Sequence, residues 1–350
     1  MSWRVSGVEL PYGDAQQTWW CSETGRSTEQ PIPGAEDLPG RFVAWGLADA
    51  HAHPAARLTD HGPAARDVAQ TRDQLLDWAA LGITLVRDAG SPAGVTLDVE
   101  NCPGLPELSA AGRFLAPEGR YFPDLLVEGV AEEQLVAAAI AELDRGATWV
   151  KVIADFPQVP SFTDLAPTYS TQAIAAVCQA VHARGARIAV HSTLPTAGEL
   201  IDAGVDSIEH GTQLDAGMLE RMAIRGTAWT PTTCALLAVL DDPSLPSDRR
   251  KGIEATRDRM KELLPLAVRL GVPVLAGSDG VGTIAREVAL LAGLGLDPAD
   301  ALAAATVVPR EVLGGDARRV DVVTYDEDPR DDPEVLTRPA AVVVNGVRLR

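Results

Sequence analysis

Residues 45–54 read Trp-Gly-Leu-Ala-Asp-Ala-His-Ala-His-Pro, a short apolar run that ends in a His-x-His pair. Residues two apart on a strand point to the same side, so His51 and His53 are expected to present both imidazoles to one point. Two converging neutral imidazoles suit a borderline metal such as zinc. The pair predicts part of a metal site at a strand end, although two unrelated histidines would give the same pattern.

After this stretch, short apolar strands alternate with amphipathic helices. The hydrophobic spacing predicts helices over 70–81, 131–145, 171–184, 196–203, 216–225 and 253–270. Strands are expected between them, with a weaker one at 112–116. Continuous apolar strands imply burial on both faces and therefore a parallel sheet. The repeat predicts an α/β fold, a (β/α)8 TIM barrel, with an open doubly wound sheet as the alternative.

Both ends of the chain have a different character. Residues 3–10 and 18–21 look like short strands, and so do 320–325 and 340–344. Asn345-Gly346 is a strong hairpin signal. The predicted organisation is a small β-sandwich-like domain made from both chain ends, residues 1–41 plus 316–350, beside a barrel over residues 42–315.

Composition restricts the partners and the compartment. The chain has 350 residues and a formal net charge of -19, which repels phosphate backbones and disfavours nucleic-acid binding. No apolar segment is long enough to span a membrane, and the first residues do not resemble a signal peptide. The four cysteines are far apart and form no C-x-x-C pair. We expect a cytoplasmic protein with reduced thiols and a small-molecule substrate. An oligomer is possible, but its state is not readable from the sequence.

Polar side chains stand at the carboxyl ends of the predicted strands. In a parallel barrel these ends meet on one face, where active sites form. Of the six histidines in the chain, only His61 and His182 lie elsewhere, in a loop and in a helix. The candidate metal ligands are His51, His53, Lys151, His191, His210 and Asp279.

Lys151 is unusual because it lies inside the apolar strand Trp-Val-Lys-Val-Ile. A buried ammonium is costly and responds by lowering its pKa. A neutral amine can take up carbon dioxide and become a carbamate, whose two oxygens can bridge two metal ions. The alternative is a lysine that reaches the rim or pairs with Asp155 or Asp164.

With these positions, the sequence resembles the amidohydrolase superfamily. The match comprises Gly-Leu-x-Asp-x-His-x-His-Pro at 46–54 and the four later ligand positions, each at the end of its own strand. Residues 82–88, 206–212 and 276–279 are similar to the imidazolonepropionase-like and Xaa-Pro dipeptidase (prolidase-like) branch. The resemblance covers about residues 39–350, and residues 1–38 are less typical.

The resemblance implies a binuclear metal centre with two divalent ions, zinc being the expected metal. The two histidines of the first strand would bind the more buried ion, and His191 and His210 the more exposed one. Carbamylated Lys151 would bridge the ions. Asp279 would bind a metal, accept the proton of the bridging hydroxide and pass it to the leaving nitrogen.

The implied activity is hydrolysis of a C–N amide bond in a dipeptide or an N-acyl amino acid. A cyclic amide or a lactone remains the alternative on the same ligands. Deamination is disfavoured because Leu194 stands where mononuclear deaminases of the superfamily carry a glutamate. A non-catalytic metal-binding barrel is disfavoured because no ligand position is missing. The glycines at 280 and 282 mimic a dinucleotide motif but are interpreted as a loop that carries Asp279.

Four further residues near the strand ends have weaker assignments. Tyr169 and Ser192 are candidate substrate contacts, and a loop-packing role is the alternative for Tyr169. Arg87 is interpreted either as a substrate contact or as part of a structural ion pair with its neighbour Asp88. Glu209 should point away from His210 on a regular strand, which indicates a supporting role and not catalysis.

Overall fold

The computed structural model describes residues 1–22, 25–59, 62–315 and 319–350 of the chain. The predicted loop position of His61 and the first residues of the predicted C-terminal segment, 316–318, lie outside this part. The chain begins with five short strands: β1 Trp3–Glu9, β2 Gln16–Ser22, β3 Gly25–Ser27, β4 Glu36–Asp37 and β5 Phe42–Ala44.

The later strands fall into barrel strands, two surface hairpins and a C-terminal group. They are β6 Leu47–Ala52, β7 Ala56–Thr59, β8 Gly62–Ala65, β9 Ile83–Asp88, β10 Glu107–Ala110, β11 Phe114–Leu115, β12 Trp149–Ile153, β13 Asp155–Gln158, β14 Thr163–Pro167, β15 Arg187–Ser192, β16 Ser207–His210, β17 Ala228–Thr230, β18 Val322–Tyr325, β19 Ala341–Val344 and β20 Val347–Arg348.

Helices alternate with the barrel strands. They are α1 Val68–Ala80, α2 Leu135–Asp144, α3 Thr171–His182, α4 Ala197–Ala203, α5 Ala216–Arg225, α6 Thr233–Ala238, α7 Ser247–Leu270, α8 Ile284–Gly293, α9 Pro298–Ala303 and α10 Val307–Leu313. Short 3₁₀ turns occupy Pro92–Asp98, Glu132–Gln134, Val239–Asp241 and Pro333–Thr337.

The barrel strands pair in parallel around a closed ring. β6, β9 and β10 form one run, and β11, β12, β15, β16 and β17 form the next. Residues 272–276 hold the eighth position, where Val274 bridges Trp229. The ring closes because the N–H of Ala50 donates to the carbonyl of Ala276 at 2.9 Å. The predicted (β/α)8 barrel is confirmed, and closure rules out the open sheet.

The third strand differs from the prediction for 112–116. It begins earlier, at β10, which pairs with β9, and only β11 lies within the predicted range. The break between them contains Gly112, whose φ is +72°. A Cβ at this position would lie 2.4 Å from the Glu142 carboxylate. The polar residues Glu107 and Ser109 hid β10 because they interrupt the apolar pattern that marks the other strands.

Helix α1 shows how local sequence signals set the element bounds. Asp67 accepts from the N–H of Gln70, whose side chain in turn accepts from the N–H of Asp67, a capping box at the first turn. Leu75 and Ala79 lie one turn apart and are buried against the barrel. Gly82 follows the helix with a φ of +90°, a conformation that glycine adopts without a steric penalty.

Strands from both chain ends share one mixed sheet in the order β20-β19-β18-β5-β1-β2-β3, with β4 on β1. β18 runs antiparallel to β5, and β1 runs parallel to it. The Asn345-Gly346 turn joins β19 to β20 with positive φ at both residues, as the hairpin signal predicted. β5 lies in this sheet, although the predicted barrel begins at residue 42. The division into two domains remains a prediction.

The sheet has an apolar cluster of its own, separate from the main barrel core. Its buried members include Trp3, Val5, Trp19, Val43, Val322 and Val343. All four cysteines are free thiols. Within the part of the chain that the structure describes, no helix is both long and apolar enough to cross a bilayer.

Candidate metal centre

The first barrel strand brings its two histidines to Asp279. The rings of His51 and His53 lie 5.2 Å apart. Their Nε2 atoms lie 3.3 Å and 3.2 Å from the same Asp279 oxygen, Oδ1. His51 is only 1% exposed. The convergence follows from the strand alternation that predicted it.

Asp279 is held in place by the first strand. Its N–H donates to the carbonyl of His51 at 2.8 Å. The preceding residue, Ser278, donates to Asp49 through its N–H at 3.1 Å and through its hydroxyl at 2.5 Å. Asp279 itself adopts a φ of +53°, a left-handed conformation that is uncommon for a non-glycine residue. The turn after the eighth barrel segment is therefore fixed by hydrogen bonds to β6.

His210 enters the site through an irregular strand end. Its φ is +66°, and its ring centroid lies 5.2 Å from that of His51. One donor atom each from His51, His210 and Asp279 lie within 4.8 Å of one another, close enough to hold a metal ion. Burial lowers the pKa of His210 to about 3, so its imidazole is neutral. Neutral imidazole is the metal-binding form.

The hydrogen bonds of the histidines select their tautomers. The Nδ1 of His53 lies 3.0 Å from the carbonyl of Gly90, which can only accept, so Nδ1 carries the proton. The Nδ1 of His51 likewise faces the Glu209 carboxylate at 2.5 Å. In both cases Nδ1 is held on the far side of the ring, and Nε2 is the nitrogen that points toward Asp279. This arrangement matches what a metal ligand requires.

His210 is also held at its Nδ1, in this case by a hydroxyl. Its Nδ1 lies 2.7 Å from Thr232 Oγ1, and that hydroxyl donates to the carbonyl of Pro231 at 2.8 Å. The hydroxyl proton is thereby committed, so Nδ1 donates and Nε2 is left unprotonated. Thr232 also has a positive φ, +48°. Two residues with left-handed backbone, one at the end of β16 and one shortly after β17, thus orient one imidazole.

Glu209 anchors His51 from the opposite side of its ring. Both Glu209 oxygens lie 2.7 Å from Arg87 Nη2, and the Arg87 Nε donates to the carbonyl of Ala50 at 2.5 Å. Burial raises the pKa of Glu209, but Arg87 and His51 outweigh it and hold that pKa well below its usual range. Glu209 is therefore an anion that fixes the orientation of His51.

These contacts revise two predictions. The structural ion pair of Arg87 is confirmed, but its partner is Glu209 and not Asp88. The supporting role of Glu209 agrees with the structure, whereas its expected orientation was wrong. Glu209 and His210 both reach His51, because the positive φ of His210 breaks the alternation of the strand.

Replacing Glu209 with glutamine is expected to weaken both the fold and metal binding. The change leaves Arg87 buried without a counter-charge, which costs about 3 kcal/mol of unfolding free energy. Metal affinity should fall roughly 10-fold to 100-fold, since the partner of His51 loses its charge. Urea unfolding and titration against a chromophoric chelator measure the two effects. Glu128→Gln is the matched control, because Glu128 pairs with Arg113 but its side chain is 73% exposed. Equal effects in both variants would contradict the assigned role.

Lys151 is a buried amine without a partner. It is 1% exposed, and its Nζ has no hydrogen bond to any residue that the structure describes. Burial lowers its pKa to about 8, although Glu209 and Asp279 oppose this shift. Asp155 is instead occupied by the N–H groups of Thr193 and Leu194 at 2.9 Å and 3.3 Å. The alternatives of a lysine at the rim or an ion pair are therefore wrong.

The remaining predicted residues take different positions. His191 packs against His210 with ring centroids 4.5 Å apart, and burial lowers its pKa well below the usual value. Ser192 is completely buried at the end of β15. The hydroxyl of Tyr169 donates to the carbonyl of Val130 at 2.9 Å. Neither Ser192 nor Tyr169 lines the cavity that adjoins His53, and their substrate contacts remain predictions.

That cavity has a volume of about 220 Å³ and was not foreseen from the sequence. His53 and Asp279 line it together with aromatic and aliphatic side chains from two loops. The available signal was the clustering of phenylalanine and tyrosine between residues 114 and 162. Hydrophobic periodicity does not report such a cluster, because Tyr121, Phe122 and Phe162 lie outside the strands and helices.

A closed barrel with imidazoles and a carboxylate gathered at its carboxyl ends defines a class of metal-dependent hydrolase folds. Residues 42–318 match the amidohydrolase family, and the chain belongs to this family. This confirms the predicted enzyme class, a hydrolase of C–N bonds. An uncharacterized protein of Mycobacterium tuberculosis is 34% identical over an alignment of 365 positions, gaps included, which covers 98% of this chain and 94% of the relative.

Solved structures share the whole fold at low sequence identity. A Xaa-Pro dipeptidase with methionine bound in its active site has a TM-score of 0.82 at 20% identity, covering 100% of both chains. The ochratoxinase of A. niger has a TM-score of 0.80 at 18% identity, covering 100% of this chain and 95% of that chain. The dipeptidase belongs to the branch that the sequence motifs resemble.

Proposed function

We propose that the protein hydrolyses the C–N bond of a small amide, a dipeptide or an N-acyl amino acid. The observation that carries the proposal is the convergence of His51, His53 and Asp279, with both Nδ1 protons turned away from the centre. The dipeptidase and the ochratoxinase with the same fold support an amide substrate. Family membership supports the reaction class.

The donor set fits two divalent metal ions, with zinc as the expected metal. His51 and His53 would hold one ion, His191 and His210 the other, and Asp279 would contribute a carboxylate oxygen. Bound there, the ions would lower the pKa of a coordinated water and polarise the scissile carbonyl. The supporting observations are the lowered pKa values of His191 and His210 and the hydrogen bonds that hold Nδ1 of His51 and His53 away from the centre.

Lys151 would complete the centre as a carbamate. Its neutral nitrogen attacks the carbon of carbon dioxide, an N–H proton leaves to water, and the product is an anion with two free oxygens. The burial of the amine, its lowered pKa and its lack of a partner support this role. A lysine in water has a higher pKa, so its reactive neutral fraction at neutral pH is far smaller than that of Lys151.

Asp279 is the group that would move the proton. Burial raises its pKa, but contacts with His51 and His53 outweigh that effect and hold the carboxylate ionised. Its side chain is 20% exposed and lines the cavity, so it reaches both the centre and a bound substrate. It would accept the proton of the attacking water and give it to the leaving nitrogen.

Metal removal combined with a substrate panel tests the proposal. The purified protein should contain about two metal equivalents, and chelation should abolish amide hydrolysis until zinc or manganese is restored. The panel contains dipeptides, N-acyl amino acids, cyclic amides and lactones, and ammonia release reports deamination. Activity that survives complete metal removal, or turnover of lactones alone, would overturn the proposed reaction.

Two histidine variants make this test specific. His53→Asn removes a predicted ligand and should lose bound metal. His182→Asn removes an imidazole whose side chain is 43% exposed and whose partner is Asp206, outside the metal centre. The second variant should keep wild-type metal content and activity. Loss of metal in both variants would show a structural effect and not a ligand role.

We also propose that the protein acts in the cytoplasm on a small-molecule substrate. The four free cysteines support a reducing compartment. The net charge of -19 disfavours a nucleic-acid partner.

A further inference from the structure

The cavity beside His53 has an aromatic wall, defined here as Phe114, Tyr121, Phe122, Phe156 and Phe162. Four of the five phenylalanines in the chain belong to it. Neighbouring rings lie between 4.7 Å and 6.0 Å apart, within the range of favourable aromatic contacts. The phenylalanines of this chain are therefore concentrated beside this one cavity.

The aromatic wall spans the candidate metal centre. At one end Phe114 lies 5.5 Å from the ring of His53, and at the other Phe156 lies 5.7 Å from the ring of His191. Tyr121 connects the two phenylalanines at 4.7 Å and 5.1 Å. One continuous, largely buried aromatic cluster therefore adjoins histidines from both predicted metal positions.

The cavity exposes part of this wall to a ligand. Its apolar lining includes Tyr121, Phe122 and Leu125 from one segment, together with Leu58 and Val281. Leu58 is 58% exposed and Val281 is 39% exposed. A volume of about 220 Å³ is below the range of drug-sized pockets, so it suits one compact group and not a long chain. Burial of an apolar group here would cover side chains that now face water.

Arg57 adds a positive charge to the same cavity. It lies on β7 and lines the cavity together with Leu58. Its guanidinium has neither a hydrogen bond nor an ion pair with any residue of the described ranges. An unpaired guanidinium suits a carboxylate, which it can bind through two parallel hydrogen bonds. A positive side chain without an acidic partner is notable in this protein, because the chain as a whole carries a net charge of -19.

The orientation of the substrate follows from Asp279. This residue lines the cavity and, under the proposed function, protonates the leaving nitrogen. The portion of the substrate that carries this nitrogen therefore occupies the cavity. The acyl portion lies on the other side of the scissile bond.

We propose that the leaving portion is an α-amino acid with a compact apolar side chain and a free carboxylate. The side chain packs against Tyr121, Phe122 and Leu125, and the carboxylate pairs with Arg57. The substrate class is thus an N-acyl amino acid or dipeptide that ends in a residue such as phenylalanine, leucine or methionine. This assignment rests on the proposed amide hydrolysis.

A matched substrate series tests the assignment on the metal-loaded enzyme. N-acetyl-L-phenylalanine and N-acetyl-L-leucine should exceed N-acetylglycine in kcat/KM by at least about 10-fold, since the apolar group fills the cavity. N-acetylphenethylamine, which lacks only the carboxylate, should be poorer than N-acetyl-L-phenylalanine by about fivefold or more. Equal rates across the series would overturn the assignment.

Variants separate the two parts of the cavity. Arg57→Met should bring the rate ratio between the carboxylate substrate and its neutral analogue close to one. Phe122→Ala should lower the preference for phenylalanine over glycine. The control Arg257→Met removes a surface arginine that pairs with Asp258 on α7, and both ratios should stay at their wild-type values. An unchanged ratio in Arg57→Met would overturn the role of Arg57.

Calorimetric titration with free amino acids gives a readout that does not depend on turnover. L-Phenylalanine should bind at least about 10-fold more tightly than glycine, and Arg57→Met should weaken its binding. Absence of this difference overturns the cavity assignment even if amides are hydrolysed. If no amide is hydrolysed but L-phenylalanine binds through Arg57, the proposed reaction fails and the cavity assignment stands.

Discussion

Asp279→Asn is expected to lower kcat/KM for any amide substrate by about 10³-fold or more, with metal content near normal. An amide oxygen can still face a metal ion, but an amide cannot accept and return a proton at neutral pH. The fold should tolerate the change, because asparagine also adopts the left-handed conformation that Asp279 has at a φ of +53°. Steady-state kinetics and elemental analysis measure the two effects.

Asp164→Asn is the matched control for this experiment. Asp164 also has a φ of +53° but lies on β14, outside the metal centre. It tests the cost of the same substitution in the same backbone conformation, and its activity should equal that of the wild type. Retained turnover in Asp279→Asn would refute the proton-transfer role of Asp279.

Lys151→Ala is expected to lower the metal content from about two equivalents to one or none and to abolish turnover, since the bridging carbamate is lost. The Nζ of Lys151 forms no hydrogen bond with any described residue, so its removal leaves no other group without a hydrogen-bond partner. Lys151→Met is the control for packing, because it keeps the length of the side chain without the amine. Two bound metals in Lys151→Ala would show that the carbamate proposal is wrong.

The protonation of Lys151 gives this prediction a pH dependence. Its pKa of about 8 is below the value of free lysine, so the amine loses its proton at a lower pH. Reconstitution of metal-free protein with zinc and bicarbonate should therefore accelerate as the pH rises from about 7 to about 9. Labelled bicarbonate should give a carbamate carbon signal by ¹³C NMR that Lys151→Met lacks.

The barrel and the positions of the candidate ligands could be predicted because both depend on local patterns. Apolar strands of regular length mark the barrel, and a polar residue directly after such a strand lies on its carboxyl face. His51 lies near the end of β6 and His53 follows that strand directly, as this rule expects. Lys151 was recognisable because an ionisable residue stood where every neighbour was apolar.

The contacts that orient these ligands could not be predicted, because they join distant segments. The pairing of Arg87 with Glu209 crosses the interior of the barrel, and no sequence spacing encodes it. Glu209 and His210 both approach His51 because His210 has a positive φ, and strand periodicity does not predict such a backbone angle. The aromatic wall likewise depends on the conformation of loops, which hydrophobic patterns leave undefined.

The hydrogen bonds between Asp49 and Ser278 connect residues 229 positions apart in the sequence. They join the first barrel strand to the turn that carries Asp279, so the candidate metal centre is assembled across the seam of the barrel. During synthesis on the ribosome, an emerging chain would carry its first two histidines long before Asp279 leaves the exit tunnel. Metal binding would then be a late step of maturation. The bound ion would hold the first and the last barrel segments together, because its ligands come from both.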